Sequence, residues 1–487
     1  IRLWFETIIP HVRDLPALFG FCLDNEPAYD HSGRDAQSRP RWMEFLEAAH
    51  GEVSALNALY GTEYGSFDEV PVPEVGDPNG VGPRRAYYDW LVFNREHFTG
   101  WHEWLNGMAK SLAPDVPTHV KIIPVLERAY LETGIDVERV CRFSDLGGND
   151  ASAYWTPEGP FVYEWQHEQI WNDLLFGLGR KPVYNSENHL IPDQFPEAHV
   201  PPEHTHAVLV QGGLHHQYAT AIWLWQEPNW ITPFAVNGSI YVRPANLFAA
   251  GRAMLDLNRL AAEVSAVNAA RPRAAILYAI PSLFWDEGAG EAITAAYMQL
   301  TFLGQPVGFV SERQLAEGDT AGLKVILCPQ TGHVEDATVE ALARFAAGGG
   351  TIVRIGSECL RFDQYHRLRE LPGALAGSPE LALPPECAAV SDELRSLLDS
   401  AGVAVAPLVD VLTDRPVWGV EYRVVSDGEA MIVPMINFLT SAQTVRLDLT
   451  GAAVDLIAEE PVDPARIELS PMCPRLIRIV QSKEATP

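Results

Sequence analysis

The sequence predicts an α/β protein whose first half is a (β/α)8-type barrel that lacks its first three strands. From residue 1 to about 260, short apolar strands alternate with helical segments, which is typical of a parallel sheet. A second α/β rhythm begins near Arg271, and only strand patterns follow residue 400. With 487 residues, the chain is also too long for one ordinary core.

Five segments of the first half are predicted to be strands. A barrel of this type needs eight strands, so if the fifth segment is the last strand, the first segment is strand four. The chain also opens without Met, inside a predicted helix at Ile1–Phe5, and we expect an N-terminally truncated fragment. The five segments are Leu18–Leu23, Thr118–Ile123, Cys141–Asp145, Pro182–Ser186 and Ala221–Trp225.

The rest of the chain is predicted to hold two smaller domains. Strands and helices alternate after Arg271, and Gly348-Gly349-Gly350 stops one of the helices, which indicates a short doubly wound unit. The strand-only tail indicates a small β-sandwich. The predicted domain boundaries are 1–262, 271–405 and 406–487.

Composition excludes several classes of partner. The formal net charge is −29, and a field of this sign repels phosphate backbones and anionic membranes, so neither nucleic acid nor a membrane is an expected partner. The six Cys residues are scattered without a C-x-x-C pair, so they predict no zinc knuckle.

Two glutamates follow predicted strands, where a barrel places its active face. Glu26 lies in Leu23-Asp24-Asn25-Glu26-Pro27, and Glu187 lies in Tyr184-Asn185-Ser186-Glu187, three strands further along. Retaining glycoside hydrolases need two carboxyls about 5–5.5 Å apart, one as nucleophile and one as acid and then base. We therefore expect Glu187 to be the nucleophile and Glu26 the acid/base. In that role Glu26 would stay protonated near neutral pH.

Other polar and aromatic residues near these strand ends are candidates for sugar binding. Asn25 would hydrogen-bond the sugar 2-hydroxyl. Either Trp223 or Trp225 would lie under the sugar, with the other in the core, and position favours Trp225. Asn149 or Asp150 could contact substrate, or their segment could be a glycine-rich turn. Tyr184 could steer the nucleophile, or it could simply pack in its strand.

Six histidines within 28 residues raise the question of a metal site. None of them combines helical i, i+4 spacing with the acidic partner expected of a zinc enzyme, so we predict no metal and no organic cofactor. These histidines are His189, His199, His204, His206, His215 and His216.

Four segments resemble glycoside hydrolase family 42 β-galactosidases, and the resemblance extends loosely over nearly the whole chain. It implies a glycosidase acting on an oligosaccharide or β-galactoside, with a glutamine-amidotransferase-like second domain that joins three barrels in a homotrimer. A passive lid on its own barrel is the alternative for that domain. The segments are Trp42–Leu46, Leu56–Thr62, Phe67–Pro71 and Asp89–Phe93.

The sequence departs from that family at three points. Tyr60 stands where the family has a tryptophan, the family's cysteine zinc cluster is absent, and the segment around Glu187 differs. Two alternatives therefore stay open: another exo-glycosidase of the same clan, such as an agarase, or a catalytically dead scaffold that binds carbohydrate.

Overall fold

The structure is a computed structural model that describes residues 1–76, 79–156, 158–192, 199–225, 239–384, 386–403, 408–428 and 430–480. Its first half alternates helices and strands. These elements are α1 (Arg2–Val12), β1 (Phe21–Asn25), α2 (Arg39–His50), α3 (Val53–Tyr60), a 3-10 turn (Phe67–Glu69), α4 (Val81–Leu112), β2 (Thr118–Lys121), α5 (Arg128–Leu131), α6 (Val137–Phe143), β3 (Gly147–Asn149), α7 (Trp165–Gly179), β4 (Val183–His189), α8 (Pro202–Leu214), β5 (Gln217–Trp223), α9 (Pro244–Arg259) and α10 (Ala261–Ala269).

The five described strands of this half run parallel and in chain order. β1 pairs with β2, and β3, β4 and β5 form a second ladder. A parallel bridge between Ile122 and Asn149 joins the two ladders. All five strands therefore end at the same edge, where polar side chains from different strands can meet.

The predicted strand Cys141–Asp145 is wrong, because Val137–Phe143 is helix α6 and the strand is Gly147–Asn149. Asp136 caps α6 by accepting a hydrogen bond from the Arg139 amide. The apolar residues Val137, Val140 and Cys141 have i, i+3, i+4 spacing and are buried, which is the pattern of a helix face.

The second part of the chain is a five-stranded parallel sheet in the order β10-β9-β8-β6-β7 with helices between its strands, as the doubly wound rhythm predicts. Its elements are β6 (Ala274–Tyr278), α11 (Ile280–Trp285), α12 (Ala289–Phe302), β7 (Val307–Ser311), α13 (Glu312–Glu317), β8 (Val325–Pro329), α14 (Asp336–Ala347), β9 (Thr351–Ile355), α15 (Gly373–Ala376), β10 (Glu380–Leu381) and α16 (Asp392–Ser400).

The described C-terminal elements are all strands and form two antiparallel sheets that share one apolar core. One sheet is β11-β15-β18, and the other is β12-β14-β19-β16-β17 with β13 paired to β14. The strands are β11 (Leu408–Asp410), β12 (Val420–Tyr422), β13 (Val425–Asp427), β14 (Ala430–Asn437), β15 (Gln443–Leu447), β16 (Ala452–Asp455), β17 (Glu460–Val462), β18 (Ile467–Leu469) and β19 (Arg475–Val480).

No helix in the described ranges is both long and apolar enough to span a bilayer.

Candidate active site

The ends of the parallel strands bring four charged side chains together. Glu26 directly follows β1, Lys121 is the last residue of β2, Asp150 follows β3, and Glu187 lies in β4. The Lys121 ammonium lies 2.8 Å from Glu26 Oε1 and 3.4 Å from Asp150 Oδ2, and it donates a further hydrogen bond to Glu187 Oε2. The structure thus joins the two predicted catalytic carboxylates through one lysine.

The shared ammonium limits how far apart these carboxylates are. Two oxygens that accept from one ammonium are at most about 6 Å apart, since each hydrogen bond is about 3 Å long. Retaining glycosidases place their carboxyls about 5–5.5 Å apart, and inverting ones about 6.5–9.5 Å apart. The spacing of Glu26 and Glu187 is therefore compatible with a retaining pair and too short for most inverting pairs.

Glu26 is held in a backbone conformation that L-residues rarely adopt. Its φ is +50°, in the left-handed region, and its amide donates to the Lys121 carbonyl at 2.9 Å. Such a conformation costs about 1–3 kcal/mol and is concentrated at functional sites. The hydrogen bond to β2 therefore fixes the direction in which the Glu26 carboxylate leaves the strand.

The charges in this cluster shift one another's pKa values. The hydrogen bond from Lys121 lowers the pKa of Glu26. Burial, together with the neighbouring Glu26, raises the pKa of Asp150 to about 6, against the opposing effect of Lys121. Burial would lower the pKa of Lys121, but its hydrogen bonds to Glu187 and Glu26 raise it. The expectation that Glu26 stays protonated near neutral pH is therefore wrong in this arrangement, because the Lys121 hydrogen bond favours the ionised carboxylate.

The buried carboxyl of Glu168 accepts hydrogen bonds from the β4 segment around Glu187. The pairing of β4 with β5 shifts register between Asn185 and Asn188. Both asparagine side chains donate to Glu168 Oε1, at 3.2 and 2.9 Å, and the Glu187 amide donates to Asn185 Oδ1 at 3.3 Å. Glu168 lies on α7 and is fully buried. This network presents Glu187 at the strand edge.

The remaining predicted binding residues lie at different depths. Asn25 is exposed and immediately precedes Glu26. Asn149 is fully buried, and its Oδ1 accepts from the Ala151 amide. Tyr184 contacts the rings of Phe19 and His119, with centroids at 5.1 and 4.9 Å, so its side chain packs among aromatic rings.

Both candidate tryptophans are exposed, so the expectation that one of them lies in the core is wrong. Trp223 ends β5, and its ring centroid lies 5.8 Å from that of His189, whose Nε2 is 3.4 Å from Glu187 Oε1. Trp225 contacts Tyr241 instead, with centroids 6.2 Å apart. Trp223 thus contacts a neighbour of Glu187, which favours it over Trp225 as the tryptophan beside the carboxylate pair.

Lys121 and His189 are the residues of this cluster to which sequence reasoning gave no role. A signal for Lys121 was present, because it is one of only five lysines and interrupts an otherwise apolar predicted strand end. Among the described residues, no cluster of three or more His, Cys, Asp or Glu has the arrangement of a metal site.

No protein-family model and no curated protein sequence matches this chain. Solved structures do match. An apo GH42 exo-carrageenase from Bacteroides ovatus superimposes with a TM-score of 0.83 at 21% identity, over 99% of this chain and 69% of that one.

Two β-galactosidase structures also match over nearly the whole chain. A catalytic mutant of a GH42 β-galactosidase from G. stearothermophilus has a TM-score of 0.74 at 15% identity, over 99% of this chain and 80% of that one. A β-galactosidase from Bacillus circulans sp. alkalophilus has a TM-score of 0.77 at 13% identity, with coverages of 98% and 81%. The resemblance seen in the sequence is thus confirmed at the level of the fold: this chain has the fold of glycoside hydrolase family 42 enzymes.

Proposed function

We propose that the protein is a retaining glycoside hydrolase that removes a terminal sugar, with a β-galactoside as its first candidate substrate. The observation that carries this proposal is the Glu26–Glu187 pair, whose oxygens share the Lys121 ammonium. Carboxyls at this spacing suit a double displacement and are closer together than the roughly 6.5–9.5 Å of most inverting enzymes. The GH42 fold supports the same reaction class.

In the proposed reaction, Glu187 attacks the anomeric carbon and Glu26 protonates the departing oxygen. The covalent glycosyl–Glu187 ester is then hydrolysed by a water from which Glu26 removes a proton. Trp223 and Trp225 are the candidate platforms for the apolar face of the sugar, and Asn25 is the candidate donor to its 2-hydroxyl. Asn149 and Tyr184 are proposed as more distant supports of the same pocket. The homotrimer remains a prediction from the family resemblance.

Azide rescue tests the assignment of the nucleophile. With an aryl β-galactoside, we expect Glu187→Gly to lose hydrolysis and to regain turnover in azide, giving the glycosyl azide of inverted configuration. Azide replaces the missing carboxylate from the same face, so only one displacement occurs. The anomeric configuration of the azide product, measured by proton NMR, shows whether Glu187 is the nucleophile. A retained azide product would assign the nucleophile to another residue.

A second candidate substrate is a carrageenan-type oligosaccharide, because the solved structure with a TM-score of 0.83 is an exo-carrageenase. Parallel assays on aryl β-galactosides, agarose oligosaccharides and carrageenan oligosaccharides separate the candidates. Binding of one of these sugars without turnover, and without covalent labelling of Glu187 by a 2-fluoro glycoside, would identify a carbohydrate-binding scaffold instead.

A further inference from the structure

A cavity of about 570 Å³ lies between the first half of the chain and its second part. The loop after β2 lines it through Pro124–Glu127, and the segment after β3 lines it through Ser152 and Tyr154. The first two turns of α12 contribute Glu291 and Thr294. Ligand pockets commonly have volumes of about 300–1,000 Å³ and occur preferentially at domain interfaces. The cavity therefore has the size and the place of a small-molecule site.

The cavity begins within a few residues of the candidate active site. Pro124 comes three residues after Lys121, whose ammonium contacts both proposed catalytic carboxylates. Ser152 comes two residues after Asp150, which lies 3.4 Å from the same ammonium. Because an extended chain advances at most about 3.6 Å per residue, the Cα atoms of these two lining residues lie within about 11 and 7 Å of those of Lys121 and Asp150. The cavity is therefore within reach of the sugars next to the bond that the enzyme would cleave.

The part of the lining that comes from α12 lies directly against the loop after β2. A Cβ at Gly290 would clash with the Leu126 carbonyl oxygen, a backbone atom, so only glycine allows the helix to approach this closely. One turn further along α12, Thr294 Oγ1 donates to the Gly290 carbonyl at 3.0 Å. This close contact fixes where α12 presents Glu291 and Thr294 to the cavity.

The lining of the cavity is acidic and partly aromatic. Tyr154 and Trp171 supply aromatic surface, and none of the described lining residues is Lys or Arg. His167 lies 3.7 Å from Glu164 and can offset at most one negative charge. Carboxylates accept hydrogen bonds from sugar hydroxyls, whereas they repel sulfate groups. The lining therefore suits a neutral sugar better than a sulfated one. Four glutamates line the cavity: Glu127, Glu164, Glu291 and Glu386.

We propose that this cavity is the leaving-group subsite of the enzyme, the pocket for the sugars beyond the cleaved bond, and that it takes neutral sugars. The terminal sugar lies at Glu26 and Glu187, and the rest of the oligosaccharide extends past the loops after β2 and β3 to α12. The second part of the chain thus contributes directly to substrate binding. Neutral galactan chains are favoured there over sulfated, carrageenan-type chains. This inference rests on the proposed glycosidase function.

Charge reversal at Glu291 tests the preference for neutral sugars. Calorimetric titration of the full chain at low ionic strength would compare a carrageenan oligosaccharide with its desulfated form. We expect the wild type to bind the desulfated form about tenfold more tightly, and Glu291→Lys to lose most of this preference. The matched control is Glu393→Lys, because Glu393 is likewise an exposed first-turn glutamate, on α16 and outside the cavity lining. Equal binding of both forms by the wild type, or equal preferences in the two variants, would overturn the proposal.

Filling the cavity tests whether the sugars beyond the cleaved bond bind there. An aryl β-galactoside has no such sugars, whereas a neutral galactan oligosaccharide does. We expect Thr294→Trp to lose about tenfold more kcat/KM on the oligosaccharide than on the aryl glycoside, the size of one lost hydrogen bond to a charged group. Ser396→Trp on α16 is the control, because both hydroxyls donate to the carbonyl four residues earlier in their helix. Equal losses on both substrates in Thr294→Trp would overturn the proposal.

The outcomes separate the subsite from the proposed function. If Thr294→Trp fails to fold, Glu291→Lys, at an exposed position, supplies the same kinetic comparison. Failure of the wild type to hydrolyse any glycoside would contradict the proposed function, whereas the calorimetric preference does not depend on turnover. Hydrolysis of aryl glycosides and oligosaccharides that responds equally to substitutions at Glu291 and Thr294 would contradict only the subsite.

Discussion

Glu168 is a fully buried carboxyl whose protonation state bears on the strand that carries Glu187. Burial raises its pKa to about 8, although Asn185 and Asn188 donate hydrogen bonds to it. Glu168 is therefore neutral when folded at pH 7, whereas in the unfolded chain its carboxyl has a pKa near 4.3. Between about pH 4.3 and 8 the unfolded state loses this proton and the folded state keeps it, so the contribution of Glu168 to stability falls as pH rises.

Glu168→Gln should remove this pH dependence. The amide resembles the neutral acid in shape and still accepts from both asparagines, so activity should stay within a few-fold of the wild type. Denaturant unfolding at pH 5 and pH 8 should show the variant gaining a few kcal/mol relative to the wild type at the higher pH. Glu168→Ala removes the carboxyl acceptor of both buried asparagine side chains, at about 1–3 kcal/mol for each donor left unsatisfied, so this variant should be destabilised at both pH values. If the difference in unfolding free energy between the wild type and Glu168→Gln is the same at both pH values, Glu168 is not a neutral carboxyl in the folded protein.

Strand β3 depends on the absence of a side chain at one position. A Cβ at Gly148 would lie 2.4 Å from the Val120 carbonyl oxygen of β2, a backbone atom that cannot give way cheaply. The two strands approach closely here, and β3 ends at Asn149, directly before Asp150. The glycine therefore sets the distance between the strands that carry Lys121 and Asp150.

Gly148→Ala should destabilise the protein by about 1–3 kcal/mol, the usual cost of overpacking, and should reduce kcat as Asp150 shifts. Gly107→Ala is the matched control. Gly107 lies exposed in α4, and its added Cβ would meet nothing within 4 Å. Alanine there should stabilise by about 0.4–1 kcal/mol through helix propensity and leave kinetics unchanged. Thermal unfolding and steady-state assays measure both variants, and a tolerated Gly148→Ala would argue against the close strand approach.

A buried charged cluster joins the three parts of the molecule. His215, which follows α8, lies 2.9 Å from Asp173 on α7 and 2.6 Å from Glu421 on β12. Tyr297 on α12 donates to the same Asp173 at 2.7 Å. Burial opposes the charge of His215, but the two carboxylates raise its pKa to about 9. The stabilisation that comes from the charge of His215 is therefore present only while this imidazole is protonated.

The pH dependence of this stabilisation follows from the upward shift of the His215 pKa. The folded pKa of His215 lies above the unfolded value of about 6.5, so the stabilisation is complete below pH 6.5 and is lost as pH rises towards 9. His215→Gln should therefore cost a few kcal/mol at pH 6 and much less at pH 9. His167→Gln, at an exposed position of α7, is the control. Denaturant midpoints at the two pH values measure the effect, and an equal loss at both would show that His215 is neutral.

Sequence patterns predicted four of the five described strands of the first half, because a short apolar run bounded by polar residues is a local signal. The predicted strands Leu18–Leu23, Thr118–Ile123, Pro182–Ser186 and Ala221–Trp225 each overlap an observed strand. The exception is Cys141–Asp145, where a capped helix with apolar i, i+3, i+4 spacing was taken for a strand. Seven residues are too few for the helical period to stand out from a short apolar run.

The sequence by itself determined that Glu26 directly follows one parallel strand and that Glu187 lies near the end of another, since a carboxylate after an apolar run is a local signal. Only the tertiary structure decided which groups surround them. Lys121, Asp150 and Glu168 come from β2, the end of β3 and α7, and nothing in their own segments indicates that they meet. A pKa value depends on how deeply a group is buried and on its distance in space from other charges, and neither can be read from positions along the chain. The lowered pKa of Glu26 and the raised one of Asp150 are therefore properties of the folded site.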